Sequence, residues 1–245
     1  METATEQVEI PVGDGSMAGY LARPDNDEVF PGVLVFMEIF GVNAHIRDIA
    51  DRIASAGFVA LAPDYFHRTG PGIELGYDDA GMASGMELLN QLVADEMIAD
   101  AKASVDFLRS RSDVQSDRIG ACGFCIGGHM TYLAACETDI QAAASFYGGG
   151  IAGPEGLGGG PSTLSRTPKI KGRILCLFGG KDQLIPQAQV KAITKALKSA
   201  GTSHEVVVYP EADHGFNCDR RGTYHKESAD DAWAKMLALF EDTLR

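Results

Sequence analysis

The sequence predicts an α/β fold: a mostly parallel sheet of about eight strands, helices on both faces, and an antiparallel hairpin at the N-terminal edge. Three observations predict it. Short apolar runs alternate with helical patterns from residue 32 onward, as the crossovers of a parallel sheet require. Two alternating segments joined by Gly13-Asp14-Gly15 precede them and read as a hairpin. A strand pattern then runs through Gly123-Phe124-Cys125-Ile126-Gly127-Gly128 straight into a helical one.

In chain order, the hairpin strands are placed at 8–12 and 18–22, and further strands at 32–37, 58–61, 118–122, 142–147, 174–178 and 205–209. Helices are placed at 46–56, 92–109, 126–135, 188–199 and 229–244. The glycine-rich stretch 148–160 lies too deep in this alternation to separate domains. It lacks the lysine and Ser/Thr ending of a phosphate-binding loop, and no helical pattern follows it, so it reads as a loop over one edge of the sheet. The expected organisation is a single domain over residues 1–245.

The strand–turn–helix at Cys125 has the form of the Gly-x-nucleophile-x-Gly elbow of α/β-hydrolases, with cysteine where serine is commoner. Its glycines have a steric reason: side chains flanking the strained tip would collide with the adjoining strand and helix. The turn aims the thiol at a helix N-terminus, where backbone N–H groups stabilise a thiolate or an oxyanion. A nucleophile–acid–histidine order should follow along the chain. Asp182 sits just past the apolar run 174–178, and His214 just past the strand 206–209. Catalytic groups collect at that carboxyl edge of an open parallel sheet. Each residue has an ordinary reading too: a buried apolar cysteine, a turn or N-cap aspartate, a loop histidine. Order and position together favour a Cys125–His214–Asp182 triad over three coincidences. Cys122-Gly123-Phe124-Cys125 also matches a redox or half-zinc spacing. Cys122 falls inside the strand, and no second Cys-x-x-Cys or matching histidine pair completes a zinc site, so no metal and no cofactor are expected.

Several segments resemble the dienelactone hydrolases, cysteine-dependent members of the α/β-hydrolase fold. They are Met37-Glu38-Ile39-Phe40-Gly41, Ala62-Pro63-Asp64-Tyr65-Phe66, the Gly-Phe-Cys-Ile-Gly-Gly elbow, Phe146-Tyr147-Gly148, the Asp182 loop and His214-Gly215-Phe216. The resemblance implies Cys125 as nucleophile, His214 as base and Asp182 as its orienting carboxylate. It implies an oxyanion hole from the backbone N–H groups of Ile39 and Ile126, and a Glu38 that holds the resting thiol until substrate displaces it. The implied activity is hydrolysis of an ester or lactone through a thioester acyl-enzyme. The alternative is a non-catalytic or thiol redox-sensing relative with the same fold. One departure stands out. The family's two substrate-clamping arginines have no counterpart in place: Cys218 occupies the position four after the histidine, and 69–79 is acidic and free of arginine. Arg68, Arg220 and Arg221 lie nearby in sequence and are the candidates to replace that clamp; the favoured reading of each is an ordinary solvated surface charge.

The net charge of −13 argues against nucleic acid or an anionic membrane as partner. No apolar run approaches a membrane span, and the N-terminus carries no secretory pattern. Five cysteines, one of them wanted as thiolate, suit a reducing cytoplasm. The expected partner is a small-molecule ester or lactone, with the chain a monomer or small homo-oligomer.

Overall fold

A computed structural model describes residues 1–13 and 15–245; Asp14, in the turn expected of the hairpin, lies outside the described residues. The elements run β1 (Thr3–Val12), β2 (Gly15–Pro24), β3 (Phe30–Phe36), α1 (Ala44–Ser55), β4 (Val59–Pro63), α2 (Asp79–Leu89), α3 (Ala94–Ser110), β5 (Val114–Phe124), α4 (Ile126–Glu137), β6 (Ala142–Phe146), a 3-10 turn (Thr163–Lys169), β7 (Arg173–Gly179), α5 (Gln187–Ala200), β8 (His204–Tyr209) and α6 (Lys226–Leu244). The eight strands form one sheet in the order β1-β2-β4-β3-β5-β6-β7-β8. β2 is antiparallel to both its neighbours, and every other pairing is parallel. This is the α/β-hydrolase arrangement, with the antiparallel hairpin at one edge.

The central strands are buried on both sides, as the near-continuous apolar run Val33-Leu34-Val35-Phe36 requires. Helices cover the two faces. Leu108 of α3 reaches Gly32 on one side, while Phe240 and Leu244 of α6 reach Gly120 on the other. Gly32 pairs with Ile119, and successive residues alternate faces, so these helices lie on opposite sides of the sheet. β3 sits at the centre with β4 on one side and β5 on the other. The chain therefore changes its winding direction there, and a crevice opens at the strands' carboxyl ends.

Two elements depart from the sequence expectation. α2 has no predicted counterpart. Its sequence DAGMASGMELL carries two interior glycines, each costing about 1 kcal/mol of helix propensity, and only a thin apolar stripe. It forms because the Asp78 side chain caps it, accepting from Gly81 N at 2.8 Å, and because Gly85 lets it approach the Ile39 carbonyl; a Cβ there would lie 2.7 Å from that oxygen. The 3-10 turn after the glycine-rich stretch is the second. Thr163 and Thr167 anchor it to α4 through His129 Nε2 and Tyr132 Oη, each at 2.7 Å. Tertiary hydrogen bonds hold this turn despite Pro168, which is why periodicity does not reveal it.

Candidate active site

The elbow is built as its sequence requires. Cys125 has φ 57° and ψ −119°, a strained conformation for a residue with a side chain. Its amide donates to the Phe146 carbonyl at 3.1 Å, while its carbonyl accepts from Gly128 and His129 at the start of α4. A Cβ at Gly123 would run into the Gly127 carbonyl, and one at Gly127 into the carbonyls of Phe36 and Met37. Neither position tolerates a side chain while the turn stays this tight. Ile126 opens α4, so its N–H belongs to the first-turn donors that lack an intrahelical acceptor.

Of the five cysteines, Cys125 alone is partly exposed; all five are free thiols. Burial pushes the Cys136 and Cys176 thiols up to about 12 and Cys218 up to about 11, and raises Cys122 further still. Those four are held as thiols at neutral pH. Cys122 lies at 0% exposure inside β5, which argues against a redox pair with Cys125.

Asp182 and His214 converge from the loops after β7 and β8. His214 Nδ1 donates to Asp182 Oδ2 at 2.8 Å. The other carboxylate oxygen accepts from Leu184 N at 2.8 Å and Ile185 N at 3.2 Å, so Asp182 is turn residue and histidine partner at once. Both side chains are buried. His214 Nε2 has no well-formed hydrogen bond, yet the Cys125 sulfur is close enough to act on the ring. Burial alone would depress the His214 pKa. The negative charge of a Cys125 thiolate and the bond to Asp182 outweigh it, and the value rises to about 10.

The sign of the linkage follows. A folded-state pKa raised above the ordinary 6.5 gives stability that is fully present below about pH 6.5 and is lost as pH rises toward about 10. We therefore expect the His214 ring to titrate near pH 10 by NMR in the intact protein, and at distinctly lower pH in Cys125→Ala. Equal midpoints in the two proteins would show that the sulfur does not act on the ring.

Glu38 follows β3 and is 0% exposed. Its Oε1 accepts from Arg221 Nη1 at 3.0 Å, and its Oε2 has no hydrogen-bond partner among the described residues. The hydrogen bond that holds this carboxylate comes from Arg221. Arg221 corrects the sequence expectation of a solvated charge: its side chain is only 13% exposed, and its guanidinium lies 5.7 Å from the Phe40 ring centroid and 5.9 Å from that of Tyr77. Arg68 is also committed. It makes a bidentate pair with buried Asp100 at 2.6 and 2.8 Å. Arg220 is exposed, as expected. The acidic residues of 69–79 do not line the cavity either, since Glu74 pairs with Arg47 and Asp78 caps α2.

A cavity of about 500 Å³ opens over Cys125 and His214. Ile39, Phe40 and Ile126 form its floor near the thiol. Met82, Met86 and Leu89 of α2 and Leu157 of the glycine-rich loop supply further apolar wall, and Arg221 and Glu155 add charge.

A family model described as "Dienelactone hydrolase family" matches residues 17–244. The chain belongs to the dienelactone hydrolase family. It is 39% identical over 246 aligned residues to a "Putative carboxymethylenebutenolidase" of Synechocystis sp., covering 100% of this chain and 99% of that one. An Escherichia coli K12 protein of the same name is 37% identical, with 95% of this chain and 84% of that one covered. Among solved structures, a "Putative Dienelactone Hydrolase" from Klebsiella pneumoniae superposes with a TM-score of 0.90 at 35% identity, covering 98% of this chain and 99% of that one.

Within this family member, three residues at the site carry no local sequence signal for the place they take. Arg221 lies three positions beyond Cys218, and nothing in the local sequence distinguishes it from its neighbour Arg220. Tyr147 reads in sequence only as part of the Phe146-Tyr147-Gly148 motif. It has φ 38°, a buried hydroxyl with no partner, and a ring set edge-on to His214 at 5.1 Å. His129 is clamped between the Gly149 carbonyl (2.8 Å) and Thr163 Oγ1 (2.7 Å) and ties the glycine-rich loop to α4. Burial lowers its pKa to about 4, so the ring is neutral.

Proposed function

We propose that this dienelactone hydrolase relative cleaves a carboxylic ester or lactone with Cys125 as nucleophile. The observation that carries the reading is the Cys125 elbow beside the His214–Asp182 hydrogen bond at the base of the cavity. The Cys125 thiolate attacks the carbonyl carbon. The oxyanion so formed accepts from the N–H groups of Ile39 and Ile126. Collapse breaks the C–O bond, and the departing alkoxide takes the proton of the His214 imidazolium, leaving a thioester. Water then gives a proton to His214 and attacks the thioester carbonyl. Expulsion of the thiolate releases the acid and restores the ion pair. Asp182 keeps Nδ1 protonated throughout, so that Nε2 faces the reacting atoms.

The test is a slow activated ester. It should leave one acyl group on Cys125, found by peptide mass spectrometry, and should block alkylation of that thiol. Acylation elsewhere, or turnover with no acyl-cysteine under conditions that trap it, would overturn the thioester route.

The cavity also bears on substrate charge. Its one guanidinium is already neutralised by buried Glu38, and its remaining wall is largely apolar. A substrate carboxylate would have to share Arg221 with Glu38 and leave one buried anion uncompensated. A neutral ester or lactone should therefore be turned over at least about tenfold better in kcat/KM than its carboxylate-bearing counterpart, one unpaired charged hydrogen bond being worth roughly 1.5–3 kcal/mol. A preference for the carboxylate that disappears in Arg221→Ala would reverse this and assign Arg221 as an anion clamp.

A further inference from the structure

Around Glu38, three segments bring together side chains of metal-ligating chemistry. Glu38 follows β3. His45 lies in the first turn of α1, where the Asn43 side chain caps the helix by accepting from the amides of His45 and Ile46 at 3.1 and 3.2 Å. Cys218 lies beyond His214, four positions along. A carboxylate oxygen of Glu38, an imidazole nitrogen of His45 and the sulfur of Cys218 all fall within 4.8 Å of one another.

The second observation is independent of that proximity. Glu38 is 0%, His45 3% and Cys218 0% exposed. Among the described residues, neither Glu38 Oε2 nor His45 Nε2 has a hydrogen-bond partner. Leaving one buried polar atom unsatisfied costs about 1–3 kcal/mol, more for a charged group. Two such atoms in one cluster, beside a thiol, point to a ligand that accepts electron pairs from all three.

We propose that Glu38, His45 and Cys218 form a binding site for a borderline or soft divalent cation, of which zinc and cadmium are the natural probes. This goes beyond the hydrolytic reading and does not depend on it. Carboxylate, imidazole and thiolate are the zinc donor set, at distances of about 2.0–2.3 Å, which in a tetrahedron places the ligand atoms roughly 3.3–3.8 Å apart. Closing from 4.8 Å takes side-chain shifts of about 1 Å. On binding, Cys218 forms a sulfur–metal bond and releases its proton to solvent, while Glu38 donates a carboxylate lone pair and His45 an imidazole one. Two anionic ligands balance a dication, so Arg221 can keep its hydrogen bond to Glu38 Oε1 as a group that orients the ligand from outside. The fourth position is left to water. Because Arg221 contacts both Glu38 and the cavity, an ion here would couple to the cavity wall.

The experiment uses Cys125→Ser as background, because Cys125 and His214 could themselves bind a thiophilic ion. Chelator-treated protein is titrated with Cd²⁺ alone. We expect one equivalent bound, an ultraviolet cadmium–thiolate charge-transfer band, and a rise in melting temperature with Zn²⁺. Adding Cys218→Ser should abolish the band, and adding His45→Gln should weaken binding at least about tenfold. Absence of the band in Cys125→Ser overturns the proposal without any further variant. So does a band that persists after Cys218→Ser, or affinity unchanged by His45→Gln. Should the serine variant fold poorly, Cys218→Ala gives the same reading. Acyl-enzyme trapping on Cys125 in the unsubstituted protein reports the hydrolytic reading separately, so failure of one does not imply failure of the other.

Discussion

Cys125→Ala is expected to lower ester hydrolysis by at least about 10⁴-fold with the fold intact. If Cys125 is the nucleophile proposed above, its loss should leave only the catalysis supplied by backbone donors and substrate binding. Folding should survive because the elbow is held by backbone bonds that alanine also makes, from Cys125 N to Phe146 O and from Gly128 N to Cys125 O. Alanine carries the same Cβ at φ 57°, so the strain is unchanged. Cys125→Ser separates nucleophilicity from shape. It keeps an oxygen in place of the sulfur, and a trace of activity should remain because the same triad geometry supports serine. Among the thiols, iodoacetamide should label Cys125 first, since the other four are buried and held protonated. Steady-state kinetics on a chromogenic ester, with circular dichroism as the folding control, is the measurement. Activity in the alanine variant equal to that of the parent would remove Cys125 from the chemistry.

How much of this was legible in the sequence depends on how local the signal was. The parallel sheet could be read because each strand is a short apolar run between breakers, and because β3 and β5 to β7 are buried on both faces. The elbow could be read because steric demand fixes glycine at Gly123 and Gly127, whatever surrounds them. Asp182 and His214 could be placed because each follows a strand's carboxyl end. Arg221 could not. It enters the cavity because the chain after Gly215 folds back over Phe40 and Tyr77, where buried Glu38 draws it in, and none of those partners is near it in sequence. The same holds for α2, whose glycines weaken the helical pattern while allowing the close packing on Ile39 that stabilises it. Long-range packing decided these features, and periodicity does not register it.

Asp182→Asn is expected to cost about 10³–10⁴-fold in kcat, with KM changed far less, because it alters the histidine's tautomer rather than the cavity. The geometry gives the reason to expect a large effect from so small a change. Oδ1 of Asp182 accepts from the amides of Leu184 and Ile185, and Oδ2 accepts from His214 Nδ1. In asparagine, one of these positions becomes an NH₂ donor. It cannot face the two loop amides, which are donors themselves, so the amide oxygen stays there and the NH₂ turns to His214. Nδ1 must then accept, which moves the ring proton to Nε2, the nitrogen that should be free to take one. Loss of the carboxylate also removes the Asp182 contribution that raises the His214 pKa alongside that of Cys125. Two readouts should move together: kcat falls, and the His214 titration shifts to lower pH. Asp182→Glu keeps the charge but lengthens the side chain in a site that is 4% exposed, so it should recover part of the rate through the correct tautomer. If kcat in Asp182→Asn stays within about threefold of the parent while the fold is intact, Asp182 is only the turn residue that its bonds to Leu184 and Ile185 describe, and His214 acts without it.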